Sequence, residues 1–417
     1  MKDRLIFETQ KLKNGMMVYG KPWDVPFVIV RFFVPIGTRN NTDSIIAGSA
    51  HFLEHLMCSR SQSFPGKSQF KKFVSSFGGE FGAATSETFT EYHLSIPSAA
   101  FSEIFPKFIN HIFNPLITEE YILEESGIIA NERKRKGIWF PGDSKLGMHV
   151  RTGWQNNNPY TLRQIFGEDD DFSNMTPEKF YSLHCAYKDP RAHLFIGGSY
   201  DARLAMKTLE QIETKFNDLP VFWKKASWQK REYHEEKCVE SDRHIYYLGG
   251  IVDSRDPFVF RGITLLGSFL TNNVNGMLYE WLRRDLGWVY NINFGASVSI
   301  APNIGAWQLS LPLNDIGQVS HVRSKLHQKI YGAISDQEQI DLHVKEKLTK
   351  QIFNYQRISD VLDDQIFSLH YFGKISNEEE SGELLRQAAY SSFLKRIYNT
   401  YWHPDVSGEF LALPINS

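Results

Sequence analysis

The sequence predicts an α+β fold built from two similar domains, each a mostly antiparallel sheet packed against helices. Three observations carry this. The 417 residues are 42% hydrophobic and 14% aromatic, enough to bury a large interior, and chains of this size tend to split into two domains. Segments with helical periodicity mix with alternating, antiparallel-looking strands instead of following strict strand–helix alternation. An order of strand, paired helices and strand occurs in the first half and starts over in the second, which hints at duplication without enough identity to establish a repeat.

The elements follow in order. LKNGMMVYGK, with its turn at Asn14-Gly15, and VPFVIVRFFVPIG read as strands. A helix is expected from about Ile45. PGKSQFKKFVSSFGG puts Phe70, Phe73 and Phe77 on one helical stripe that Gly78 and Gly79 end. In TFTEYHLSIP, Thr90, Tyr92, Leu94 and Ile96 alternate with Phe89, Glu91, His93 and Ser95, the pattern of a half-buried strand. This strand is the expected sheet edge, on which an extended peptide adds itself through backbone hydrogen bonds. Helices are expected over about 100–113, 118–136 and 176–186, a long loop over 153–171, and a strand in AHLFIGG. The polar, charged stretch 216–235 is the expected linker between a domain of residues 1–215 and one of residues 236–417. In the latter, RHIYYLGGIV reads as a strand, FRGITLLGSFL and GMLYEWLRR as helices, and WVYNINFGASVSI as an alternating strand.

Composition sets bounds on function. The 46 basic and 48 acidic side chains leave a formal net charge of -2, so no long-range field draws nucleic acid or an anionic membrane surface. MKDRLIFETQ lacks the apolar core and cleavage site of a leader, and no segment approaches the ~18 continuous apolar residues of a spanning helix. Cys58, Cys185 and Cys238 are odd in number and far apart, which argues against a disulfide framework or a zinc ribbon and fits a reducing compartment. A cytoplasmic chain without membrane attachment is expected.

Chemistry concentrates in AHFLEHLM, residues 50–57. On a helix His51 and His55 lie one turn apart on the same face, with Glu54 adjacent to that face and close to His51. A helix with two hydrogen-bonded core histidines is the plain alternative. Against it stands the cost of placing Glu54 among Phe52, Leu53, Leu56 and Met57, several kcal/mol for an unpartnered carboxylate. Zinc with two imidazoles takes a third protein ligand and keeps one position open. ITEEYILEESGIIANERK offers it, because Ile122, Glu125, Ile129 and Glu132 form one helical stripe in which two carboxylates interrupt an apolar seam. Glu132 or Glu125 then joins the same ion. Such a centre makes water acidic near neutral pH, and Glu54 beside it can take the proton and pass it to a leaving amine. The pattern points to a metal hydrolase, most naturally a peptidase.

With these residues in view, the chain resembles the insulinase and pitrilysin family of zinc metallopeptidases and their small two-domain relatives, the mitochondrial processing peptidase subunits. HFLEH matches the inverted zinc motif, LKNG and PIGTRNN precede it, and FGGEFGAATSETFTEY and YILEESGIIANE follow it in the family order. The loop ending NPY, YKDPRAHLFIGG and NGMLYEWLRRDLGWVY extend the likeness over the whole chain. The resemblance implies one Zn2+ per chain on His51, His55 and Glu132, with Glu54 as catalytic base and Glu125 as a second carboxylate steadying the zinc sphere. It also implies that Arg283 and Tyr290 bind the substrate carbonyl, and that Gly82 and Ala83 line the substrate strand. Gly82 departs from the family's usual asparagine, so Gly82→Asn is expected to tighten KM. The implied assembly is a homodimer with shared active sites, because one chain carries both residue sets. The implied activity is endopeptidase action on peptides or unfolded segments. A peptide-binding subunit that scarcely cuts, a maturation protease for one precursor, and a metal-free scaffold are the alternatives.

Overall fold

The computed structural model describes residues 7–38, 46–86, 88–139, 155–156, 165–212, 227–228, 234–238, 243–253, 256–301, 304–376 and 378–414. The chain forms two compact units. The first comprises Met1–Lys136, Pro159–Lys224 and Arg357–Asp363, the second Gly137–Asn158, Lys225–Gln356 and Asp364–Ser417. Of the expected linker only residues 227–228 and 234–235 are described, and the NPY loop lies outside the described residues.

In the first unit β1 (Glu8–Lys11), β2 (Met17–Pro22), β3 (Phe27–Val34), β4 (Glu80–Thr85), β5 (Thr90–Pro97) and β6 (His193–Gly198) form one sheet, in the order β1-β2-β6-β3-β5-β4. Among the described residues of this sheet only β2 and β6 pair in parallel, from Met17 against His193 to Pro22 against Gly198. A parallel pair needs a crossover, and here the crossover carries α1 (Ser49–Ser59), α2 (Gln69–Ser76), α3 (Phe101–Phe113), α4 (Glu119–Trp139) and α5 (Pro177–His184). Alternation sets the buried face: Val28, Val30 and Phe32 of β3 and Tyr92, Leu94 and Ile96 of β5 join Phe52, Leu56, Phe105, Phe108 and Ile129 from the helices in one core. Each such side chain stabilises the unit by roughly 1.5–3 kcal/mol through removal from water.

The expected helix at the HFLEH motif starts at Ser49, after Gly48 at φ 81. A Cβ at Gly48 would collide with the backbone of Gly167, so glycine lets that segment close over the start of α1. The expected sheet edge is corrected. β5 is not the sheet edge, because it pairs with β3 on one side and β4 on the other, and β4 is the terminal strand.

The second unit repeats this plan. β7 (His234–Cys238), β8 (His244–Asp253), β9 (Asn293–Ala301), β10 (Ile304–Leu313) and β11 (Gly408–Pro414) run in the order β9-β10-β8-β11-β7. Again a single described pair, β7 with β11, is parallel. Apart from β1, which has no counterpart, replacing β2, β3, β4, β5 and β6 by β7, β8, β9, β10 and β11 converts one order into the other, so the duplication hinted at by the sequence is present in the topology. Its helices include α6 (Pro257–Thr271), after β8 as α1 follows β3, and α7 (Ile316–Ala333) and α8 (Gln337–Asn354), after β10 as α3 and α4 follow β5. Tyr290 and the rest of WVYNI lie outside the strand expected for WVYNINFGASVSI. Gly287 turns the chain at φ 67 and β9 begins only at Asn293. No described helix is long and apolar enough to cross a membrane.

Candidate functional site

Helix α1 sets His51 and His55 one turn apart, with ring centroids 4.7 Å apart at 76°. Phe166 packs its ring at 90° to that of His51, 5.2 Å away. Helix α4 brings its stripe to the same place: Ile122, Glu125 and Ile129 are buried, while Glu132 is partly open. Glu124, off the stripe, turns away to Arg60 and Lys67.

The carboxylates meet the imidazoles at close range. Glu132 Oε2 lies 3.4 Å from His55 Nε2 and 3.7 Å from His51 Nε2, and Glu125 Oε2 lies 3.4 Å from His55 Nδ1. Glu54 does not join them as a ligand; its Oε2 accepts a 2.7 Å hydrogen bond from the Thr85 hydroxyl at the end of β4. Burial would lower the His55 pKa, but Glu125 and Glu132 on its two nitrogens and the nearby Glu54 outweigh that and hold the imidazole up to about 9. Burial raises the Glu54 carboxyl above its ordinary value, with the Glu132 charge adding to it and Thr85 and His55 opposing it. The His55 shift expresses a local surplus of negative charge, three carboxylates facing two imidazoles, whereas that of Glu54 is chiefly an effect of burial.

His51, His55 and Glu132 each present one ligand atom, all within 4.8 Å of one another. Tetrahedral zinc with bonds of about 2.1 Å sets its ligand atoms roughly 3.4 Å apart, and two imidazole nitrogens with one carboxylate oxygen are a zinc donor set. The observed separations and the charge surplus both fit such an ion, and Glu125 and Glu54 stand where an outer carboxylate and a proton acceptor would.

The remaining expected residues fall in two places. Gly82 and Ala83 lie on the edge strand β4, three and two residues before Thr85. Arg283 and Tyr290 lie in the second unit. The Arg283 guanidinium sits 4.8 Å from the Tyr279 ring and 4.5 Å from the Tyr290 ring and donates a 2.7 Å bond to the Tyr290 carbonyl. Tyr290 is 67% exposed. Thr85 and Phe166 were not expected from the sequence; each reaches α1 from a distant stretch, and no periodicity connects them.

Comparison with known proteins places the chain. A family description, Insulinase (Peptidase family M16), matches residues 21–137. Zinc protease PqqE of Helicobacter pylori is 27% identical over 226 residues, a match that spans 52% of this chain and about half, 48%, of that protein. The crystal structure of a protease from Helicobacter pylori superposes with a TM-score of 0.81 at 19% identity, covering 98% of this chain and 99% of that one. A peptidase M16 inactive domain from Pseudomonas fluorescens superposes with a TM-score of 0.79 at 14% identity over 98% of each chain. Residues 21–137, which hold the histidine and glutamate cluster, are therefore an insulinase-family domain of peptidase family M16, on a chain with the fold of M16-like peptidases.

Proposed function

We propose that this chain is a zinc-dependent endopeptidase of peptides or unfolded segments. The observation that carries the reading is the convergence of His51, His55 and Glu132 with a fourth carboxylate, Glu54, held apart from them by Thr85. His51, His55 and Glu132 would hold one zinc ion per chain, with Glu125 steadying His55. Bound zinc supplies Lewis acidity, which makes water acidic near neutral pH and polarises a peptide carbonyl. Glu54 takes the proton from the attacking water and returns it to the leaving amine; its raised pKa suits both halves of that task. The outer edge of β4 receives the substrate as an added strand, and Thr85, ending that strand, ties the substrate track to the base.

Arg283 and Tyr290 bind the substrate carbonyl, and two copies of the chain pair so that this couple on one completes the zinc site of the other. Support comes from the presence of both sets in one chain and the tight Arg283–Tyr290 stacking. Mixing a Glu54→Gln chain with an Arg283→Ala/Tyr290→Phe chain under conditions of subunit exchange is expected to restore one working site per mixed dimer. Mixed dimers as inactive as their parents would reject the shared site. A second reading, a peptide-binding subunit that scarcely cuts, draws on Gly82 in place of asparagine and on the likeness to an inactive M16 domain. Chelator-sensitive cleavage of a mixed peptide library by the purified chain, read by mass spectrometry, separates the two.

A further inference from the structure

Gly82 on β4, the terminal strand of its sheet among the described residues, pairs across to His93 of β5. The imidazole leans over the glycine: a Cβ built on Gly82 would sit 2.5 Å from His93 Nε2 and 2.6 Å from its Cε1. The ring thus fills the volume that a side chain at position 82 would need. No described residue hydrogen-bonds either ring nitrogen. Burial lowers the His93 pKa, Arg31 and Lys71 push the same way and Glu80 opposes them, so at neutral pH the ring offers one N–H and one bare nitrogen. Arg31 is itself engaged by Glu91 and Asp363 and does not compete for those atoms.

Position gives this ring a use. From Gly82 to Thr85 the edge runs three residues, about 10 Å of strand, and Thr85 holds Glu54. Residues directly opposite one another in paired strands project from the same face. A peptide laid along β4 therefore places the side chain opposite Gly82 on the face that His93 covers, with no side chain of residue 82 between them. We infer that His93 is a specificity-determining residue whose imidazole hydrogen-bonds a polar, uncharged side chain at the substrate position opposite Gly82. That position lies three residues along the substrate from the one opposite Thr85. This rests on the peptidase reading for the use of the β4 edge. It also alters the expectation for Gly82→Asn, since an asparagine there must displace the His93 imidazole from its place over residue 82 and so removes the contact that the ring would make to substrate.

The test compares the parent with His93→Ala, His93→Gln, Gly82→Asn and the Gly82→Asn/His93→Ala double variant. Library cleavage gives the residue preference, one cleaved peptide gives KM and kcat, and anisotropy of labelled peptides on Glu54→Gln versions gives binding without turnover. The parent is expected to enrich Ser, Thr, Asn and Gln at one fixed offset from the cut. His93→Ala loses that enrichment and raises KM about 5-fold, the value of one hydrogen bond, with kcat nearly unchanged; His93→Gln, which keeps a donor and an acceptor, retains part of it. Gly82→Asn alone weakens binding, and adding His93→Ala weakens it little further. Additive effects in the double variant, or a preference, KM and affinity indifferent to His93, overturn the inference. A parent that cuts with such an indifferent profile sinks the inference and keeps the peptidase reading. One that binds with a His93-dependent preference and cuts nothing does the reverse, and one that neither cuts nor binds rejects both.

Discussion

The two units share a strand order yet treat the same junction of helices differently. In the first, the helix after the second core strand, α1, meets α4 through two histidines and three glutamates. In the second, the corresponding helices α6 and α8 meet through His343, whose Nε2 lies 3.1 Å from the Ser268 hydroxyl, and through Asn272, which donates a 3.0 Å bond to Glu346. One carboxylate there is satisfied by Asn272 and Lys350, and burial drives the His343 pKa down to about 4. In α1 and α4 the charge surplus instead drives His55 up to about 9. A polar seam between buried helices is tolerated when its members satisfy one another, as around His343. The additional carboxylates around His55 leave a surplus of negative charge that the proposed zinc ion would offset.

The largest effect expected from this contrast is catalytic. Glu54→Gln should retain about one zinc per chain while kcat falls at least about 10²-fold, because the amide fills the space and cannot accept a proton. His51→Ala and Glu132→Ala should lose the metal instead, and His343→Ala should leave zinc content untouched. Metal analysis beside peptide kinetics checks all four, and zinc loss on His343→Ala would break the comparison. Next in size is stability. Zinc at 100-fold above its Kd should stabilise the parent by about 2.7 kcal/mol, seen as a rise in the melting temperature that vanishes in His55→Ala. The smallest concerns pH. His343, and likewise His111 and His184 in the first unit, have folded pKa values near 4, below the ordinary 6.5. The unfolded chain therefore binds more protons between those values, and the stability these neutral rings contribute is complete above pH 6.5 and is lost as pH falls toward 4. Urea midpoints from pH 7 to 4.5 should decline, and His343→Asn should flatten part of that slope; an unchanged slope would show the ring to be charged or solvated.

Much of the first unit was legible because its signals are periodic. The stripe Ile122, Glu125, Ile129, Glu132 and the alternation of β5 each survive as burial patterns, since one helix face or one strand face meets the core. Strand order was not legible. β4, EFGAAT, is short and rich in small residues, so its sequence carries little of the β-branched signal that marks β5, and the edge was assigned to the stronger strand. Partnerships across long separations were equally hidden: Thr85 with Glu54, Phe166 with His51, and Ser268 with His343 depend on helix placement and not on local pattern. Tyr290 was misplaced because the chain, after the left-handed turn at Gly287, joins the sheet only at Asn293, a start that the alternation of side-chain types does not mark.

The parallel contact of β2 with β6 has a consequence for the order in which the protein is made. Met17 waits for His193, so every residue of the cluster from His51 to Glu132 leaves the ribosome before the strand that fills the centre of its own sheet. Until then β3 has β5 on one side and nothing on the other, with Val28, Val30 and Phe32 short of the neighbour that pairs their backbone. Such distant pairing makes closure a late and slow event in folding. A nascent chain halted before residue 193 would expose a hydrophobic strand edge in a chain that has already synthesised the histidines and glutamates of the cluster.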